Sequence, residues 1–152
     1  MLYPYSQIKA GIYLIDTGAV DRVCVACFRS EPSWRMERLD FGSVDRFLPH
    51  EEIHPVEVDY ETCIKGIDYV IIYDTIASIC IERGKRKESK IIYLKGGEPR
   101  RHRLIRMFVN KYLNQVSGIF KIYGIYENKQ FEFFPESETQ IILLVPTLNT
   151  KW

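Results

Sequence analysis

The stretch from Pro99 to about Val116 constrains the fold more than any other. Leu104, Ile105, Phe108, Val109, Tyr112, Leu113 and Val116 recur at three- and four-residue spacing, the period of one helical face. Gly96-Gly97 precede the stretch, Pro99 suits a first helical position, and Ser117-Gly118 ends it. A helix of this length with one apolar stripe must lie on something apolar. The β-branched and aromatic runs on both sides of it supply that surface.

Ile8–Ile15 and Val20–Phe28 read as strands joined by the turn residues Asp16-Thr17-Gly18. Trp34–Phe41 reads as a third strand. Residues 42–66 read as a long acidic connection, punctuated by Gly42, Pro49 and Pro55, with a short helical turn near Val44–Phe47. Crowding of β-branched residues in Ile67–Ile81 favours two strands around Asp74-Thr75 over a helix. Ile91–Leu94 is a short strand reached through the charged loop Arg83–Lys90. Ile119–Tyr126 and Phe131–Phe134 flank a hairpin signal, and Ile141–Val145 is a final buried strand. The expected class is α+β, predominantly antiparallel, with one long helix packed on a sheet or half-open barrel. The whole chain, 1–152, is expected to be a single domain.

At 46% hydrophobic and 27% charged residues, the chain can build a core without disulfides or metal. MLYPYSQIK has neither a basic start nor a long apolar run, and no apolar run approaches a membrane span. A soluble, cytoplasmic protein is expected, with Cys24, Cys27, Cys63 and Cys80 as free thiols in a reducing compartment. No cofactor is expected.

Three short motifs invite chemistry. Pro49-His50-Glu51-Glu52-Ile53-His54-Pro55 contains H-E-x-x-H, and those five residues resemble the signature of zinc-dependent metalloproteases. That chemistry needs a helix, so that both imidazoles face one zinc. Pro55 pushes His54 out of the helical region. In an extended chain His50 and His54 would stand about 13 Å apart. The reading is an acidic loop with two ordinary histidines. Asp16-Thr17-Gly18-Ala19, entered from an apolar strand, resembles the catalytic loop of retroviral-type aspartic proteases. The resemblance implies a homodimer in which two Asp16 residues share a proton. The simpler reading is a hairpin turn. Cys24-Val25-Ala26-Cys27 lies in a strand, which puts the two thiols on opposite faces and argues against a zinc knuckle.

Charge is the stronger signal. The net charge of +1 hides −6 in residues 1–80 and +7 in residues 81–152. Residues 83–111 hold eleven Lys+Arg against Glu88 and Glu98. Arg83, Lys85, Arg86 and Lys87 occupy the loop; Arg100, Arg101, Arg103, Arg106 and Lys111 lie on the helix, with Lys90 and Lys95 between. Cations at a helix N-terminus oppose the macrodipole unless an anion docks there. On a helical wheel Arg103, Arg106 and Asn110 lie opposite the apolar stripe, and the loop extends this ridge if the two are adjacent. Arginine suits bidentate phosphate contact.

Two readings of function follow, and enzymatic ones rank below both. In the first, a small non-enzymatic binding protein engages an anionic partner, nucleic acid above all, through the basic helix and loop. In the second, a protein-interaction or inhibitor/immunity-type module uses the acidic 45–61 segment (Asp45, Glu51, Glu52, Glu57, Asp59, Glu61) on a partner's basic site. A homodimer is compatible with either.

Overall fold

The computed structural model describes residues 1–31, 35–60, 66–86, 89–96 and 99–147. The fold is mixed α+β: among the described residues, eight strands lie in one mostly antiparallel open sheet, with two α-helices. The strands are β1 (Tyr5–Lys9), β2 (Ile12–Ile15), β3 (Arg22–Glu31), β4 (Met36–Asp45), β5 (Ile91–Leu94), β6 (Phe120–Tyr126), β7 (Lys129–Glu132) and β8 (Ile141–Pro146). The helices are α1 (Tyr69–Gly84) and α2 (Pro99–Val116). The residues group into two compact units, the first Met1–Arg29 with Leu39–Ser78, the second Ser30–Arg38 with Ile79–Trp152.

In the first unit the strand order is β1-β2-β3-β4. The run expected as one strand over Ile8–Ile15 is broken at Gly11. Gly11 takes φ +74 and a Cβ there would stand 2.6 Å from the Phe28 carbonyl oxygen, so only glycine fits this turn. One sheet face carries Ile12, Val25, Cys27 and Val44, and the acidic connection closes over it by burying Ile53 and Val58. The connection is pinned by Lys9, whose Nζ donates to the carbonyls of Glu51 (2.7 Å) and Ile53 (2.9 Å). A bridge between Ser43 and Asp59 fixes its far end. The helical turn expected near Val44–Phe47 is not there, because Val44 and Asp45 end β4. Short 3-10 turns form instead at His50–Glu52 and Pro55–Glu57.

Residues 67–81, expected as two strands, are helical. Asp68 caps α1: its Oδ1 accepts from the backbone N–H groups of Val70 (3.0 Å) and Ile71 (3.3 Å). Ile72, Thr75, Ile76, Ile79 and Cys80 are buried, an i, i+3, i+4, i+7, i+8 stripe that overrides the strand preference of the β-branched residues. In the first unit this helix lies on the sheet face opposite the acidic connection. Tyr5, paired with Ile15, reaches Ser78 there, and Thr75 accepts from the Tyr3 backbone N–H (3.0 Å).

In the second unit the order is β4-β5-β8-β6-β7. Residues 36–38 of β4 pair in parallel with β5, and β8 lies antiparallel between β5 and β6. Thus β5, α2 and β6 form a crossover with β8 filling the gap. Strand β5 and helix α2 have the bounds expected from sequence. The β6–β7 hairpin turns on Glu127 and Asn128, both at positive φ (48° and 64°), the type I′ geometry that suits a two-residue loop. One sheet face carries the buried side chains Glu37, Ile92, Leu94, Ile142, Leu144, Phe120 and Ile122. Both helical segments of this unit contact that face. Arg83 of α1 meets Glu37, Gly84 sits against Phe120, and His102 of α2 meets Thr139 beside Gly124.

Candidate anion-binding surface

Helix α2 is amphipathic, but its outward face is rotated from the helical-wheel expectation. Its buried residues are His102 and Val116. Arg106 and Asn110, expected to face solvent, are partly buried, and Asn110 Oδ1 is enclosed without a hydrogen-bond donor among the described residues. Arg100, Arg103, Met107, Lys111 and Asn114 form the exposed line. Met107 is 53% exposed. Among the described residues no ion pair involves Arg100, Arg103 or Arg106. Lys111 lies over the rings of Phe108 and Tyr112 (5.9 and 5.4 Å to the centroids).

The helix start is seated by His102. A Cβ on Gly96 would collide with the backbone of Arg101 and His102, so glycine lets the strand exit pass close under the first turn. The Gly96 N–H donates to His102 Nδ1 (3.4 Å), which leaves the ring proton on Nε2, 2.9 Å from Thr139 Oγ1. Burial, then the charges of Arg106 and Lys95, hold the His102 pKa below its ordinary value. This histidine is a neutral buried anchor. Its cationic neighbours place Lys95 and Arg106 with Arg100 and Arg103 around one helix end.

The loop cations stand elsewhere. Arg83 belongs to α1, where its guanidinium donates to both carboxylate oxygens of buried Glu37 (2.7 and 2.6 Å). Lys85 and Arg86 are exposed on the turn that ends α1. Lys87 lies outside the described residues. This turn precedes β5 and the start of α2 follows it, so the two basic groups sit at opposite ends of that strand. In the chain the basic residues fall into a turn group before β5 and a helix-start group after it. Counted by unit, the first has five Lys+Arg and eleven Asp+Glu, net −6; the second has sixteen and nine, net +7.

The short motifs have structural uses. His54 is extended (φ −124, ψ 159) ahead of the second 3-10 turn, as Pro55 requires, so H-E-x-x-H never shares a helix. Ile53 at its centre is only 1% exposed and plugs the first unit's core. Among the described residues no group of three or more His, Cys, Asp or Glu is placed to hold a metal ion. Asp16 accepts from Arg46 (2.8 Å) and from the Gly18 N–H (2.9 Å), and these bonds, Arg46's foremost, hold its carboxyl below the usual range. The D-T-G loop is thus a hairpin turn clamped by an arginine. Cys24 and Cys27 are both buried and form no disulfide, and burial pushes the Cys24 thiol up to about 12 and raises that of Cys27. Cys63 and Glu61 lie outside the described residues. Sequence reasoning missed His102 as the seat of the helix start; the signal was a histidine on the apolar side of a cluster of arginines.

Among the described residues no helix is long and apolar enough to cross a membrane. No curated protein and no solved structure matches the chain. Residues 50–146, well over half its length, match a family of unknown function (DUF6934), and the chain belongs to that family.

Proposed function

We propose that this protein is a small, soluble, cytoplasmic, non-enzymatic binding protein whose basic helix engages an anionic partner, nucleic acid above all. The observation that carries the reading is the cationic start of α2. Arg100 and Arg103 are exposed, Arg106 and Lys95 crowd a histidine that burial keeps neutral, and the surrounding unit has a net charge of +7. Backbone N–H groups at a helix N-terminus and the helix dipole both favour an anion. Without one, the arginines oppose that dipole. Lys85 and Arg86 offer a second contact group at the other end of β5, and Arg101 and Lys111 complete the helix set. Arg83 contributes through folding, since Glu37 occupies it.

The test is a salt titration of binding to a labelled oligonucleotide. Affinity should fall steeply between about 50 and 200 mM salt. Replacing Arg100, Arg103 and Arg106 by Ala should lower the log–log slope by roughly one for each phosphate no longer neutralised. Absence of binding at low salt rules the reading out.

A second reading is favoured by the acidic connection. Glu51, Glu52 and Glu57 are exposed, and beside them Phe47 (82%) and Val56 (86%) also stand in solvent. Exposed apolar side chains among carboxylates suit a protein partner with a basic, partly apolar surface. Pull-down with Phe47→Asp and Val56→Asp variants tests it; loss of a partner captured by the parent chain supports it.

A further inference from the structure

The second unit's sheet has another face. Residue alternation places Met36, Arg38, Ile91, Tyr93, Ile141, Leu143, Val145, Lys121, Tyr123 and Ile125 opposite the side that both helical segments contact. Most of these are only partly buried, in contrast to Ile92, Leu94, Ile142, Leu144 and Ile122 on the helix side. Registers line up one row across five strands. Arg38 pairs with Tyr93, Tyr93 with Leu143, Leu143 with Tyr123, and Tyr123 with Glu132. The two tyrosines therefore flank Leu143, roughly 9.5 Å apart by strand spacing. Each has a cation at the outer limit of cation–π contact: Arg38 Cζ beside the Tyr93 ring and Lys121 Nζ beside the Tyr123 ring, both 5.9 Å from the centroid.

We infer that this face is a stacking platform for single-stranded nucleic acid. Duplex bases are already stacked and offer no ring face, whereas unpaired bases can lie on Tyr93 and Tyr123. Arg38 and Lys121 sit where a strand crossing the row would bring its phosphates, in a unit of net charge +7. Glu132, the acid in the row, stands at its β7 end and leaves the span from Arg38 to Tyr123 without a carboxylate in register. The platform deepens the nucleic-acid reading by setting the strandedness of the partner. It does not depend on the arginines of α2, which lie on the helix side of the same sheet.

The experiment uses the full chain, a labelled oligothymidylate of about 15 nucleotides and a duplex of equal length. Single-strand binding should exceed duplex binding. Tyr93→Ala and Tyr123→Ala should each weaken it by roughly fivefold or more, the effect of removing one stacked ring. Tyr93→Phe and Tyr123→Phe should bind as the parent does, since a phenyl ring still stacks. Lys121→Glu changes an exposed side chain without touching the core, so it tests the face even if an alanine variant unfolds; it too should weaken binding. Failure of the oligothymidylate to bind overturns the inference, as does unchanged affinity in folded Tyr→Ala variants. If those variants instead change the oligomeric state in sedimentation and leave binding unchanged, the face is a contact between copies and the inference falls. Loss of binding in the arginine variants alone would leave the helix reading standing without this one; loss in the tyrosine variants alone would do the reverse.

Discussion

Glu37 and Arg83 face each other as a two-pronged ion pair, with both carboxylate oxygens accepting from the guanidinium at 2.6 and 2.7 Å. The side chains are only 4% and 13% exposed. Removing one partner leaves a buried charge without its counter-ion, which costs about 3–5 kcal/mol. Arg83→Ala or Glu37→Ala should therefore lower Tm by roughly 10 °C or more. Replacing both with apolar residues of similar volume should restore most of the loss. Thermal melts of the three variants check this; a single variant that melts with the parent would show the pair to be dispensable.

His102 should give stability a dependence on pH. Its folded pKa lies below the ordinary 6.5 because burial, Arg106 and Lys95 disfavour the charged ring. The unfolded chain then binds a proton that the folded one refuses. Its contribution is complete above about pH 6.5 and is lost as pH falls through the lower folded value. Denaturant titrations between about pH 5 and 7.5 should show midpoints falling toward acid, with a shallower fall in His102→Gln.

Asp68 should matter to helix α1 more than its exposed position suggests. Its carboxylate satisfies two backbone donors that the first turn otherwise leaves without partners. Asp68→Ala should cost about 1 kcal/mol, and Asp68→Ser or Asn should recover most of it. Chemical denaturation of the four proteins decides.

Three thiols should stay silent until the chain unfolds. Burial pushes Cys24 and Cys80 up to about 12 and raises Cys27 as well, so little thiolate exists near neutral pH. A chromogenic thiol reagent should modify none of the three in the native protein and all three in denaturant. Native labelling of Cys24 or Cys27 would reopen the C-x-x-C as a reactive pair.

Much of this architecture was legible in the residues, and the failures have physical causes. Helix α2 announced itself through period, glycines and proline, and the bounds of β5 follow from four apolar residues between charged segments. Helix α1 was hidden because Val70, Ile71, Ile72, Thr75, Ile76, Ile79 and Ile81 have the side chains of a strand. The cap at Asp68 and the spacing of Ile72, Thr75, Ile76, Ile79 and Cys80 were the contrary signals. At the basic surface, the sequence displays cations without saying which have partners. Arg83 reads like Lys85 and Arg86, because only the fold brings Glu37, 46 residues earlier, beside it. The row from Arg38 to Tyr123 could not be read at all, because it depends on β8 entering between β5 and β6.

That insertion bears on how the protein is made. The hairpins among β1, β2 and β3 can pair while the chain is still leaving the ribosome. Strands β5 and β6 are different, for the strand that joins them is synthesised last of the three. Until residues 141–146 emerge, the edges of β5 and β6 that pair with them wait without a partner. This is the interval in which a nascent chain is most exposed to wrong pairing and to chaperones.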